Sequence, residues 1–191
     1  MTHTIEKLKS AQISSSILEN LVAVHRNCFP EDAKTNFERK LILQSWNQPP
    51  LMNYWVLHDT SQHKIIGYIR YVEHGGMRQK AVIELEQIGI LEAYREQGLA
   101  TLLIDTSLFE LTSLLQNQNR SIKLIYVSTG SGNPAQKLYH KALGAKIVAT
   151  IPGFYEDNES TLNEVIMLAI PAEIECARKA RELTTLAKSL L

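Results

Sequence analysis

The chain has 191 residues, of which 45% are hydrophobic, 21% charged and 7% aromatic, with nine Gly and six Pro. That size and apolar share suit one globular domain with a substantial core, and they exclude a disordered or fibrous chain. Twenty basic residues balance twenty acidic ones and no Lys/Arg run breaks the balance, so neither nucleic acid nor an anionic membrane is an expected partner. No apolar stretch approaches the ~20 residues of a membrane helix. The opening Met1-Thr2-His3-Thr4-Ile5-Glu6 lacks the basic-then-apolar order of a secretion signal. Cys28 and Cys176 lie far apart without a metal spacing and read as reduced thiols, which points to a cytoplasmic protein. The six histidines show no ligand spacing either, so no metal is expected.

Ser14-Ser15-Ser16 starts a first predicted helix, in which Ile17, Leu18, Leu21, Val22 and Val24 recur at roughly helical spacing up to Asn27. A second, 36–46, ends before Pro49-Pro50, because proline lacks a donor and forces its predecessor extended. Residues 51–57 and 64–72 are rich in Ile, Val, Tyr and Trp around a polar turn, and predict an antiparallel hairpin. Gly75-Gly76 marks the next turn and 81–91 a third strand. A long helix over 98–115, a strand over 122–127, a helix over 134–143 and strands over 146–151 and 162–170 follow. The last segment puts Cys176, Ala180, Leu183, Ala187 and Leu190 on one helix face, which would dock on the core or join two copies as a homodimer. The fold class is therefore α/β, a mixed sheet flanked by helices, with one domain over 1–171 and a helical extension over 172–191.

Two turns offer backbone amides to a phosphate. Arg95-Glu96-Gln97-Gly98-Leu99-Ala100-Thr101 lies between a strand and the long helix. Unpaired N–H groups at a helix start form an anion site, and Gly98 lets the chain approach without a Cβ. Arg95 and the Thr101 hydroxyl are further donors. The second turn, Gly130-Ser131-Gly132-Asn133-Pro134-Ala135, fits the dinucleotide pattern G-x-G-x-x-A, with Glu156 or Asp157 about 20 residues on as the ribose acid. An NAD-type oxidoreductase is therefore the alternative. The 56 residues after Ala135 read as two strands and a helix, which is not a doubly wound sheet.

Taken in order, several residues resemble one family. Ile90 ends a strand, Tyr94-Arg95 follows a turn, and Arg95, Gly98 and Ala100 fill the pattern Arg/Gln-x-x-Gly-x-Gly/Ala. Asn133, then Ala135 and Tyr139 four apart, then Gly144, come downstream, with Phe154-Tyr155-Glu156-Asp157 before the last strand. Over about residues 52–170 this resembles the GNAT superfamily of acyl-CoA-dependent N-acetyltransferases. Glu92 stands where a proline is frequent and Ala145 where Phe often follows the Gly. The resemblance implies a largely antiparallel sheet of the N-acyltransferase type, acetyl-CoA as cosubstrate, and an amine-bearing acceptor that is a small molecule or a protein. It implies pyrophosphate on residues 95–101, and a pantetheine arm beside Ile88, Gly89 and Ile90 where two strands splay. Asn133 would lie along that arm. Gly89 is a candidate bulge or close-approach point.

Acetyl transfer to an amine needs a neutral amine and a protonated leaving thiol. Glu84 and Glu86 alternate on the third strand, so they share a face; in the resembling enzymes those positions often carry the base. Tyr139 is the candidate acid for the leaving sulfur. No placed nucleophile is evident, which implies direct transfer in a ternary complex. Phe154, Tyr155 and Glu156 would form an aromatic and anionic wall for a cationic amine. A catalytically silent CoA-binding module with the same fold is a further alternative.

Overall fold

The computed structural model describes residues 3–8, 13–30, 38–46, 51–154 and 163–189. Its elements are β1 (His3–Lys7), α1 (Ser15–Cys28), α2 (Glu38–Trp46), β2 (Met52–Asp59), β3 (Lys64–His74), β4 (Lys80–Ile90), a 3-10 turn (Glu92–Tyr94), α3 (Leu99–Gln116), β5 (Ser121–Gly130), α4 (Ala135–Leu143), β6 (Lys146–Ile151), β7 (Glu164–Ala169) and α5 (Pro171–Ser189). One sheet takes all seven strands in the order β1-β2-β3-β4-β5-β7-β6. Every adjacent pair is antiparallel except β4 with β5. The predicted elements are all present. β1 is an addition: its one strong hydrophobe, Ile5, and its exposed Thr4 and Glu6 give an edge strand little sequence signal.

Strand alternation builds two cores. Trp55, Ile69, Tyr71, Ile83, Leu85, Ile125, Val127 and Met167 face α3 and α4, meeting Leu103, Ile104, Leu108 and Tyr139. Tyr54, Val56 and Tyr68 face the other way, against Leu18, Leu21 and Val22 of α1 and Ile42 of α2. Fully buried side chains such as Leu21, Leu103 and Ile104 each stabilise this sandwich by roughly 1.5–3 kcal/mol. The Ser14 hydroxyl caps α1 by accepting from the Ile17 amide at 3.3 Å.

α5 packs against α4, though not by the predicted face. Ile174, Ala177 and Arg181 turn inward, while Cys176, Ala180 and Leu183 face solvent; the Ala187 side chain and Leu190 lie outside the described residues. The polar anchor explains the offset. Arg181 donates to the Lys141 and Ala142 carbonyls at 2.7 and 2.8 Å and pairs with Asp105 of α3. The end of α4 leaves those carbonyls without helical partners, and its dipole favours a cation there. Among the described residues no helix is long and apolar enough to cross a membrane.

Candidate active site

The parallel pair β4–β5 holds together only from Lys80 opposite Ser121 to Glu84 opposite Tyr126. Beyond that point β4 continues beside β3 to Ile90, while β5 continues beside β7 to Gly130. The two strands therefore part, and a gap opens through the middle of the sheet. Leu91 donates its amide to the Ile66 carbonyl on the β3 side. By alternation, the backbone groups of Ile88 and Ile90 point to the opposite edge, into the gap. Extended amides there suit an amide-bearing arm.

A bulge lies in this stretch, at Glu86 and not at Gly89: Arg70 pairs with Gln87 and Tyr71 with Leu85, leaving Glu86 as the extra residue. The bulge keeps Glu84, Glu86 and Gln87 on the α1 face and returns Ile88 to the α3 core. Gly89 serves close approach instead. A Cβ there would lie 2.9 Å from Cys28 Sγ, at the end of α1.

At the carboxyl end of β4 the chain turns into α3 through Glu96 and Gly98, both at positive φ, 62° and 78°. A Cβ at Gly98 would meet no atom within 4 Å, so the turn is open on its outer side. The first helical bond runs from the Leu102 amide to the Gly98 carbonyl. Among the described residues, no hydrogen bond engages the amides of Leu99, Ala100 and Thr101, which head an 18-residue helix. That is the electrostatic arrangement a pyrophosphate needs. Arg95, expected at the rim of the turn, reaches back to the strand end with one of its nitrogens. Its Nε donates to the Ile90 carbonyl at 3.0 Å, which Cys28 Sγ also engages at 3.3 Å. Arg95 thus ties the turn to the strand end. Gln97 folds back to the Ala93 carbonyl. A groove of about 1610 Å³ continues from Gly98 and Thr101 between α3 and α5.

The second glycine turn is an ordinary helix start. Asn133 Oδ1 accepts from the Ala135 amide at 2.9 Å, and the Gly130 carbonyl accepts from Asn133 and Gln136. β7 runs antiparallel to β5 and lies between it and β6, so β5 and β6 do not pair as the adjacent parallel strands of a dinucleotide-binding βαβ unit. Asn133 keeps its side-chain amide exposed at the mouth of α4.

Acid–base groups gather on both sides of the gap. Glu86 pairs with buried Arg70 through Oε1 at 2.5 Å, and its Oε2 is buried without a partner. Burial raises its carboxyl above the usual range, against the opposing pull of Arg70. Arg70 is held in turn by the Tyr54 hydroxyl at 2.9 Å. Glu84 Oε2 accepts from Tyr126 at 3.0 Å and meets His74 Nε2 at 2.7 Å. Burial, then the adjacent Glu84, lifts the Tyr126 phenol well above its usual value. Tyr139 stands across the sheet in the α3–α4 core. It is 6% exposed, and its hydroxyl has no hydrogen bond among the described residues. Burial pushes its pKa up to about 12.

The carboxylates therefore lie on one face of the sheet and the phenol on the other. Sequence reasoning missed Tyr126, His74, Arg70 and Tyr54. Alternation put Tyr126 opposite in sense to Ile125 and Val127, but only the strand register places it beside Glu84. Phe154 is exposed at the turn after β6, while Tyr155 and Glu156 lie outside the described residues. Among the described residues, no three His, Cys, Asp or Glu side chains cluster as a metal site requires.

A parted parallel pair with an amide-lined helix start at its end defines an acyl-transferring fold, and the comparisons agree. The model of the acetyltransferase (GNAT) family matches residues 18–145. The chain belongs to that family. Solved structures with the same fold include NAA60 from Arabidopsis thaliana in complex with acetyl-CoA, at 20% identity over 90% of this chain and 99% of that one, TM-score 0.66. The ribosomal-protein-S18-alanine N-acetyltransferase from Escherichia coli is 15% identical over 88% and 93%, TM-score 0.61. A GNAT family acetyltransferase from Elizabethkingia anophelis with acetyl-CoA bound is 13% identical over 88% and 98%, TM-score 0.60. No curated protein matches the chain with significance.

Proposed function

We infer that the chain moves an acetyl group from acetyl-CoA to a primary amine by direct attack in a ternary complex. The observation that carries this is the gap itself. An anion-binding turn and a buried phenol flank one face, and a half-buried carboxylate with a free oxygen lies on the other. The amides of Leu99, Ala100 and Thr101 hold the pyrophosphate, and the backbone of Ile88 and Ile90 aligns the pantetheine arm. Asn133 lies beside that arm. The acceptor amine approaches from the α1 face.

Glu86 takes a proton from the ammonium, directly or through one water, and its raised pKa makes it a better base than an ordinary surface glutamate. The amine nitrogen then forms its bond to the thioester carbon as the carbon–sulfur bond breaks, and the nitrogen sheds its one remaining extra proton to water. Tyr139 gives its proton to the departing thiolate and regains one from solvent. Glu84, between Tyr126 and exposed His74, passes the proton from Glu86 outward. Phe154, with Tyr155 and Glu156 next in the sequence, is the stretch assigned to the acceptor.

Calorimetric titration of the purified protein with acetyl-CoA, with NAD as the comparison ligand, tests the donor. Saturable acetyl-CoA binding without NAD binding is expected; the reverse would overturn the reading.

A further inference from the structure

β7 opens with Glu164, whose side chain is 1% exposed. Among the described residues, neither carboxylate oxygen has a hydrogen-bond partner. A carboxylate withdrawn from water with no donor is strongly unfavourable, and buried charges are ordinarily paired. No step of the acetyl transfer uses this group.

Register tells where Glu164 points. Residues directly opposite on antiparallel strands share a face. Leu168 stands opposite Tyr126, Ile166 opposite Ser128, and Glu164 opposite Gly130. Tyr126 is bonded to Glu84, so Glu164 shares the face that carries Glu84 and Glu86. It lies four residues along β7 from Leu168, about 13 Å at strand rise, toward the end where β4 and β5 part. No bulky β5 side chain stands between Glu164 and the gap, since its partner on β5 is Gly130 and Ser128 is exposed. Arg70, the buried cation on the same face of β3, is engaged by Glu86 and Tyr54.

Resting on the amine-acetylating reading, we propose that Glu164 binds a second ammonium group of the acceptor, making the substrate a flexible dication, an alkyl diamine or triamine. One primary amine reaches Glu86 at the gap while the other cationic centre neutralises Glu164. A monoamine leaves that carboxylate buried and uncompensated, and so binds less well.

The test is calorimetry on the full chain saturated with CoA, titrated with butylamine, diaminobutane, diaminoheptane and bis(3-aminopropyl)amine. The diamines and the triamine are expected to bind on the order of 30-fold or more tighter than butylamine, as truncating a buried charge pair would suggest. Glu164→Gln should bring the affinities to near parity. Wild-type affinities within about threefold of one another would overturn the proposal. So would a dication preference that survives in a Glu164→Gln protein with a normal melt. The wild-type ratio needs no variant, so a poorly folding mutant leaves the test decisive. Turnover is read separately: tight diamine binding without acetylation refutes the transferase reading and leaves the Glu164 assignment standing.

Discussion

Gly89 sits where the end of α1 crosses β4, and Gly89→Ala probes that crossing. The new methyl would lie 2.9 Å from Cys28 Sγ, 3.1 Å from Cys28 Cβ and 3.6 Å from Phe29 Cε2. Comfortable carbon contacts are about 3.5–4.0 Å, so Cys28 must retreat by roughly half an ångström or more. Overpacking of this kind costs about 1–3 kcal/mol. In a domain of this size each kcal/mol lowers Tm by about 2–4 °C. The displacement also reaches the phosphate turn, because Cys28 and Arg95 share the Ile90 carbonyl. The KM for acetyl-CoA should therefore rise. Cys28→Ala removes the 2.9 Å contact and keeps the 3.1 Å one. The double mutant should then be less destabilised than the sum of the singles by about 1 kcal/mol or more. Urea and thermal melts of the four proteins measure this coupling. Additivity within about 0.3–0.5 kcal/mol would refute the argument.

Three further outcomes are expected. Gly98→Trp forces a side chain onto a residue at φ 78° and fills the open side of the turn, so calorimetric acetyl-CoA binding should be lost; unchanged affinity would remove the turn from the site. Glu86→Gln should lower kcat by about 10²–10⁴. Because the Glu86 pKa is raised, wild-type kcat/KM should fall on acidification with a midpoint above the ordinary glutamate value of about 4.3, and that limb should vanish in the mutant. An identical pH profile in both proteins would assign the base elsewhere. Tyr139→Phe should lower kcat by about 10²-fold while acetyl-CoA affinity and the melt stay close to wild type, because the lost hydroxyl makes no hydrogen bond. Unchanged turnover would end its role as acid.

Local signals were legible in the sequence and pairing was not. Helical spacing, β-branched runs and Gly/Pro turns located the predicted elements, and Gly98 marked the phosphate turn, because each depends on neighbours within a few residues. Glu84 and Glu86 were found for the same reason, since alternation alone puts them on one face. The bulge at Glu86, the partnership of Glu84 with Tyr126 and His74, and the buried, unpartnered Glu86 oxygen depend on how β3, β4 and β5 register, which no local pattern encodes. Arg95 was expected beside a phosphate by its position, and its bond to the strand end was not legible. Its path back to Ile90 is set by a carbonyl at the end of β4 that only the folded turn presents. α5 repeats the lesson. Its apolar spacing at Cys176, Ala180 and Leu183 was real, but Arg181 found unsatisfied carbonyls on α4, and that polar anchor turned the stripe outward.

Two-substrate kinetics test the central claim most directly, with thiol release followed while acetyl-CoA and diaminobutane are each varied against fixed levels of the other. Stoichiometric thiol and N-acetyl product, with reciprocal plots that intersect, are the predicted result. Parallel plots would contradict direct transfer, and acetyl-CoA binding with no thiol released to any primary amine would contradict the enzyme itself.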